Sequence, residues 1–185
     1  MLAARFGQRR GQRGIQAKRC AFDALRLYAP LSATLAEPRR EHIRQLLSWA
    51  ARLHEIGISI AYSGYHKHSA YIAQNADMPG FSKADQTSLA LLAGAHRGSL
   101  NKVRAMVTDE DEWAPILALR LAVILNRRRV NREDPPLTLA QQDGSFRVAV
   151  DNEWLDQHPL SATALDNEVA QWQAIGLKVR IDRLV

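Results

Sequence analysis

Residues Trp49–Arg97 read WAARLHEIGISIAYSGYHKHSAYIAQNADMPGFSKADQTSLALLAGAHR. The segment is built from short helices separated by strong punctuation. Upstream of it, Ile43, Leu46, Leu47, Ala50 and Leu53 follow the i, i+3, i+4, i+7 rule of an amphipathic helix. Pro38 suits its first turn and Gly57 its end. The next pattern predicts a helix over 67–75, with Ala70, Tyr71 and Ile72 apolar, and Pro79-Gly80 then signals a turn. Ser82 is a good N-cap, and Asp85 three residues on completes a variant capping box. The helix that follows runs through Leu89, Leu92 and Ala95 to His96, and Gly98 stops it. Four of the six histidines lie here: His54, His66, His68 and His96. Beside Glu55, Lys67 and Arg97, such histidines can bind a metal, handle phosphate, or stand as polar posts in a helical core.

Outward from this segment the chain stays helical on both sides. Ile15, Cys20, Phe22, Leu25, Leu27 and Tyr28 have helical spacing, with Pro30 at the end. Trp113–Arg129 forms a long helix, apolar nearly all round in its centre, as a central core element is. Composition changes at Asn131–Pro136, where a linker is expected. Beyond it, Leu137–Gln141 and Phe146–Val150 alternate about an Asp143-Gly144 hairpin signal. Helical stretches follow at 152–157 and 161–175, with Ser161 as N-cap and Gly176 at C′, and then a strand at Leu177–Ile181. The order ββαβ makes a small α+β unit. The fold class is mainly α, with a helical domain at 1–130 and an α+β domain at 137–185.

The 185 residues carry a net charge of +6 and are 46% apolar, enough for a real core. No apolar run reaches the ~18–20 residues of a membrane span. The basic start is read as a leading helix rather than a transit peptide. A single cysteine, Cys20, excludes an intramolecular disulfide and a Cys-based metal site, and it fits a reducing cytoplasm. The positive balance favours acidic partners. Nucleic acid is the less favoured polyanion, because no aromatic residues interleave with the basic clusters to stack bases.

The motifs LHEIG at 53–57, SGYHKHSAYIAQNADMPGF at 63–81, AHR at 95–97 and LRLAVILNRRR at 119–129 are similar to the C-terminal part of the exopolyphosphatase/guanosine pentaphosphate phosphohydrolase (Ppx/GppA) family. The resemblance runs from about Gln16 to the end. It implies an HD-like helical domain and a role as the C-terminal module of a larger hydrolase. In that family catalysis belongs to two actin-like domains that use Mg²⁺, and nothing in this sequence resembles them. The module is therefore expected to bind polyphosphate or a phosphorylated guanosine nucleotide, to support a homodimer, and to be inactive alone, with no cofactor or metal of its own.

His54-Glu55 stands where an HD phosphohydrolase carries His-Asp. The pattern departs from such a site in three ways: helix 16–29 has no histidine, the acid is Glu55, and Asn126 replaces the late Asp. The alternative reading, an autonomous metal-dependent HD-type phosphohydrolase, uses His54, Glu55 and His96 as catalytic residues. The preferred reading assigns Ser63, His66, Lys67, His68, Arg97, Arg127, Arg128 and Arg129 to phosphate. His66 and His68, two apart on a helix, do not share a face. One is expected to pack inward while the other joins Lys67 and Arg97. Ser63 is either a phosphate donor beside a helix start or an ordinary N-cap. His96 or Arg97 can simply be a cation favoured by a helix C-terminus, worth ~0.3–1 kcal/mol.

Overall fold

The computed structural model describes residues 2–127 and 137–184, with side chains from Gly14 onward. Helix α1 spans Leu2–Leu31, and α2 spans Glu37–Leu53. Pro30 falls inside the last turn of α1 rather than breaking it, and Ser32 continues the turn by donating to Tyr28 O at 3.1 Å. Ile43, Leu46, Leu47 and Ala50 are buried, as their periodicity predicts.

Helix α2 stops at Leu53, short of Gly57. Gly57 instead sits in a 3₁₀ turn, Ile56–Ser59, against helix α3 (Tyr65–Asn75). A Cβ there would overlap the Tyr65 carbonyl oxygen and come 2.5 Å from Ser69 N. The buried Ser69 hydroxyl locks this junction. It donates to His54 O at 2.7 Å and accepts from Gly57 N at 2.9 Å. Helix α3 begins two residues earlier than predicted because Gly64, at φ +66°, turns the chain into it. No side chain caps this end, so Ser63 is not its N-cap.

Helix α4 spans Lys83–Ala95 and opens on the predicted capping box: Ser82 Oγ accepts from Asp85 N at 3.1 Å, and Ser82 N donates to the Asp85 carboxylate at 2.9 Å. Gly98, at φ +83°, turns the chain toward α5 (Leu100–Arg104). Helix α6 spans Trp113–Leu125 and is buried on nearly every face. It ends four residues before the predicted Arg129. There the Asn126 side chain folds back, donating to Ala122 O at 2.8 Å and to Asp23 Oδ2 at 2.6 Å.

Strands β1 (Leu137–Gln142) and β2 (Ser145–Asp151) pair antiparallel through Asp143-Gly144. Both loop residues have positive φ, 51° and 68°, as a two-residue hairpin requires. Helices α7 (Asn152–Gln157) and α8 (Pro159–Ala174) cross over to β3 (Lys178–Leu184), which lies parallel to β2. Helix α8 starts at Pro159, so Ser161 lies in its first turn and does not cap it.

One continuous core spans the helices and the sheet. Trp172 of α8 meets Trp113 at 5.5 Å and Phe146 at 5.8 Å, both edge-on, and such pairs contribute about 0.5–1.5 kcal/mol beyond burial. The predicted linker, 131–136, lies outside the described residues, as do Arg128 and Arg129.

Candidate functional site

Helices α1, α2, α3 and α6 converge on a cavity of about 360 Å³. Gln16 and Cys20, one turn apart on α1, close one side. His54, Glu55, Tyr62 and Tyr65 form another, and Asn126 and Arg127 come from the end of α6. Arg97, just beyond α4, completes it. His54, Glu55 and Asn126, which the sequence singles out together, do meet here. Gln16 stands where the first helix lacks a histidine, and its Nε2 donates to Asn126 O at 2.6 Å.

The two histidines behind this cavity are each tied to a backbone carbonyl of the helix that precedes them. His54 Nδ1 donates to Ala51 O at 2.7 Å, and His96 Nδ1 donates to Ala93 O at 2.6 Å. The rings meet edge-on at 5.0 Å. The remaining nitrogen of His96, Nε2, accepts from the Tyr65 hydroxyl at 3.3 Å. Burial first, and the neighbouring His54 second, hold the His96 pKa well below the ordinary 6.5. His96 is therefore no helix-end histidinium. Charging it inside the core would cost more than the ~0.3–1 kcal/mol that a macrodipole returns.

The linkage sign follows. Below about pH 6.5 the unfolded chain binds a proton at His96 that the folded chain refuses. Stability is therefore expected to fall as the pH drops through that value, by up to about 1.4 kcal/mol per pH unit. Urea unfolding of the parent and of His96→Gln at several pH values checks this. The assignment fails if the two slopes are equal.

Cys20 is fully buried, and desolvation, followed by the charges of Asp23 and Glu55, raises its pKa. The thiol stays protonated and is no nucleophile. The amides of Gln16 and Asn126 spend their N–H groups on protein acceptors. Among the described residues no group of three or more His, Cys, Asp or Glu could hold a metal.

Two guanidiniums line the cavity, those of Arg97 and Arg127. Arg97 is exposed and stacks over the Tyr65 ring, 4.9 Å from its centroid, which steers its guanidinium. Arg127 is also exposed. Of the other predicted phosphate residues, His66 and Lys67 line a neighbouring groove that shares Arg97. Ser63 is exposed and lines neither cavity. His68 also lines neither, and its Cβ lies on the side facing Gly57. Gln16, Tyr62 and Tyr65 were not foreseen as lining residues. The Gln16/Cys20 spacing marks a shared helix face, but not which cavity that face closes.

Domain III of the Ppx/GppA phosphatases, as a family, matches residues 14–169. The chain belongs to the Ppx/GppA family. Among curated relatives it is similar to a guanosine-5′-triphosphate,3′-diphosphate pyrophosphatase of Pseudoalteromonas translucida, 37% identical over 143 residues. That match covers 74% of this chain and 28% of the relative. Proteins with the same name in Vibrio vulnificus (33% identity, 74% of this chain, 28% of the relative) and Vibrio cholerae (32%, 81% and 30%) are also similar. The chain thus spans 28–30% of the length of these relatives. In this Ppx/GppA chain, no helix among the described residues is long and apolar enough to cross a membrane.

Proposed function

We propose that this chain is the phosphate-binding C-terminal module of a Ppx/GppA phosphohydrolase. It grips polyphosphate or a phosphorylated guanosine nucleotide, such as the one in its relatives' name, and presents it to actin-like catalytic domains of the longer enzyme. The main support is that Arg97 and Arg127, far apart in sequence, line one cavity whose other polar groups are two amides, two tyrosines, His54 and a single carboxylate, Glu55. Two planar guanidiniums at one opening suit a chain of phosphates. In this reading Mg²⁺ acts at the catalytic domains, a homodimer is the working form, and the cytoplasm is the compartment that suits the buried Cys20 thiol.

Calorimetric titration with tripolyphosphate tests the reading. Arg97→Ala and Arg127→Ala are each expected to weaken binding about tenfold, the scale of a charge-assisted hydrogen bond. Affinity should also fall steeply with salt as condensed ions are released. Affinity indifferent to both arginines and to salt sinks the proposal. Phosphate release by the chain alone, abolished in Glu55→Gln, would replace it with the HD-hydrolase reading.

A further inference from the structure

A second compartment lies on the other side of Arg97. Helices α3, α4 and α5 enclose a groove of about 640 Å³, within the usual range for small-ligand pockets. Its floor is apolar, with Ala70, Leu91, Gly94 and Val103, and the exposed Met106 adds an apolar wall. Small residues make the depression. Gly94 approaches Ala70 so closely that an added Cβ would stand 3.2 Å from the Ala70 methyl. The rim is cationic, with Lys67, Arg97 and Lys102, and among the described residues no acid lines it.

The fourth rim residue is His66. Its ring lines the groove, with Nε2 against Gly98, and its enclosed Nδ1 has no hydrogen-bond partner. An enclosed polar atom left without a partner is a cost that a turn of the ring toward an incoming ligand would relieve. Burial and the nearby Arg97 and Lys67 keep this histidine's pKa below its ordinary value, so the ring is neutral at pH 7 and can donate or accept.

We infer that this groove is a second ligand site, for a phosphate monoester carrying an aromatic body. The body covers the apolar floor and the phosphate pairs with Lys67, Lys102 and Arg97. Bare polyphosphate gains nothing from such a floor, whereas a flat ring of one or two cycles fills it. Arg97 lines both compartments. One guanidinium cannot pair fully with two phosphates held on opposite sides, so occupants of the two compartments compete. This competition rests on the phosphate reading of the first cavity; the groove's own ligand does not.

Fluorescence and calorimetric titration of the full chain with 1-naphthyl phosphate tests the inference. Saturable binding is expected. Lys102→Glu and Met106→Glu lie outside the first cavity, and both side chains are exposed, 58% for Met106, so the fold should tolerate them. Each is expected to weaken naphthyl phosphate about tenfold and leave tripolyphosphate affinity unchanged. Lys102→Gln, with a circular-dichroism melt matching the parent, guards against unfolding as the cause. Naphthyl phosphate binding that never saturates, or that ignores Lys102 and Met106, overturns the site. Naphthyl phosphate binding without any tripolyphosphate binding supports the groove and sinks only the reading of the first cavity. When both bind, tripolyphosphate is expected to raise the apparent Kd of naphthyl phosphate, and additive binding removes the competition.

Discussion

Glu168→Ala is expected to destabilise the protein by about 3–5 kcal/mol, the cost of breaking a buried ion pair by removing one partner. Arg120 enters an otherwise apolar helix, and its guanidinium is buried. Glu168 of α8 receives it through two bonds, Nε to Oε1 and Nη2 to Oε2, the latter at 2.9 Å. Oε1 also accepts from the Trp172 indole N–H at 2.8 Å. Truncation would leave both donors without that carboxylate in a site that water does not reach. Glu168→Gln keeps shape and an acceptor, and should cost less. Urea unfolding followed by the fluorescence of the buried Trp113 and Trp172 measures both variants. A loss below about 1 kcal/mol for Glu168→Ala would show that water reaches the pair.

The same guanidinium donates to Ala95 O at 2.6 Å and to Gly98 O at 3.1 Å. It therefore pins the end of α4 from which His96 and Arg97 project. A Glu168 variant that remains folded should lose tripolyphosphate affinity as well as stability.

Gly57→Ala is expected to cost about 3 kcal/mol, at the upper end of overpacking penalties. The added methyl meets Tyr65 O and Ser69 N, which are backbone atoms of α3 and cannot swing aside. Relief requires α3 to move away from the 3₁₀ turn and break the Ser69 bridge. Gly14→Ala is the control. That helical position is open, with nothing within 4 Å of an added methyl, and the change should stabilise by about 0.5–1 kcal/mol. Equal melting temperatures for the two variants would refute the packing argument.

The elements set by local chemistry could be read from the sequence. The periodicity of α2, the Ser82/Asp85 box, the apolar α6 and the Asp143-Gly144 hairpin each depend on residues a few positions apart. So did the family resemblance, carried by short motifs. What depended on distant contacts could not be read. Gly57 looked like a helix stop, because only the passage of α3 reveals why a side chain is excluded there. Arg120 was hidden in an apolar run, since its partner lies on α8. His96 looked chargeable until His54 and the core were placed around it. The meeting of Arg97 with Arg127 required the ends of α4 and α6 to converge, which no spacing announces.

The sheet order β1-β2-β3 leaves β3 as an edge, with no further strand beside it among the described residues. An open edge is a template for another chain, and natural proteins guard such edges with charge. Here Lys178, Arg180, Asp182 and Arg183 stand along it, and Arg147 of β2 pairs with Asp182 across the outer face at 2.7 Å. At the opposite edge, the Arg26 guanidinium donates to the first carbonyl of β1, Leu137 O, at 2.9 Å. These charges disfavour the pairing of β3 with a strand of a second copy. The charged edge of the sheet thus serves as a guard against fibre-like stacking.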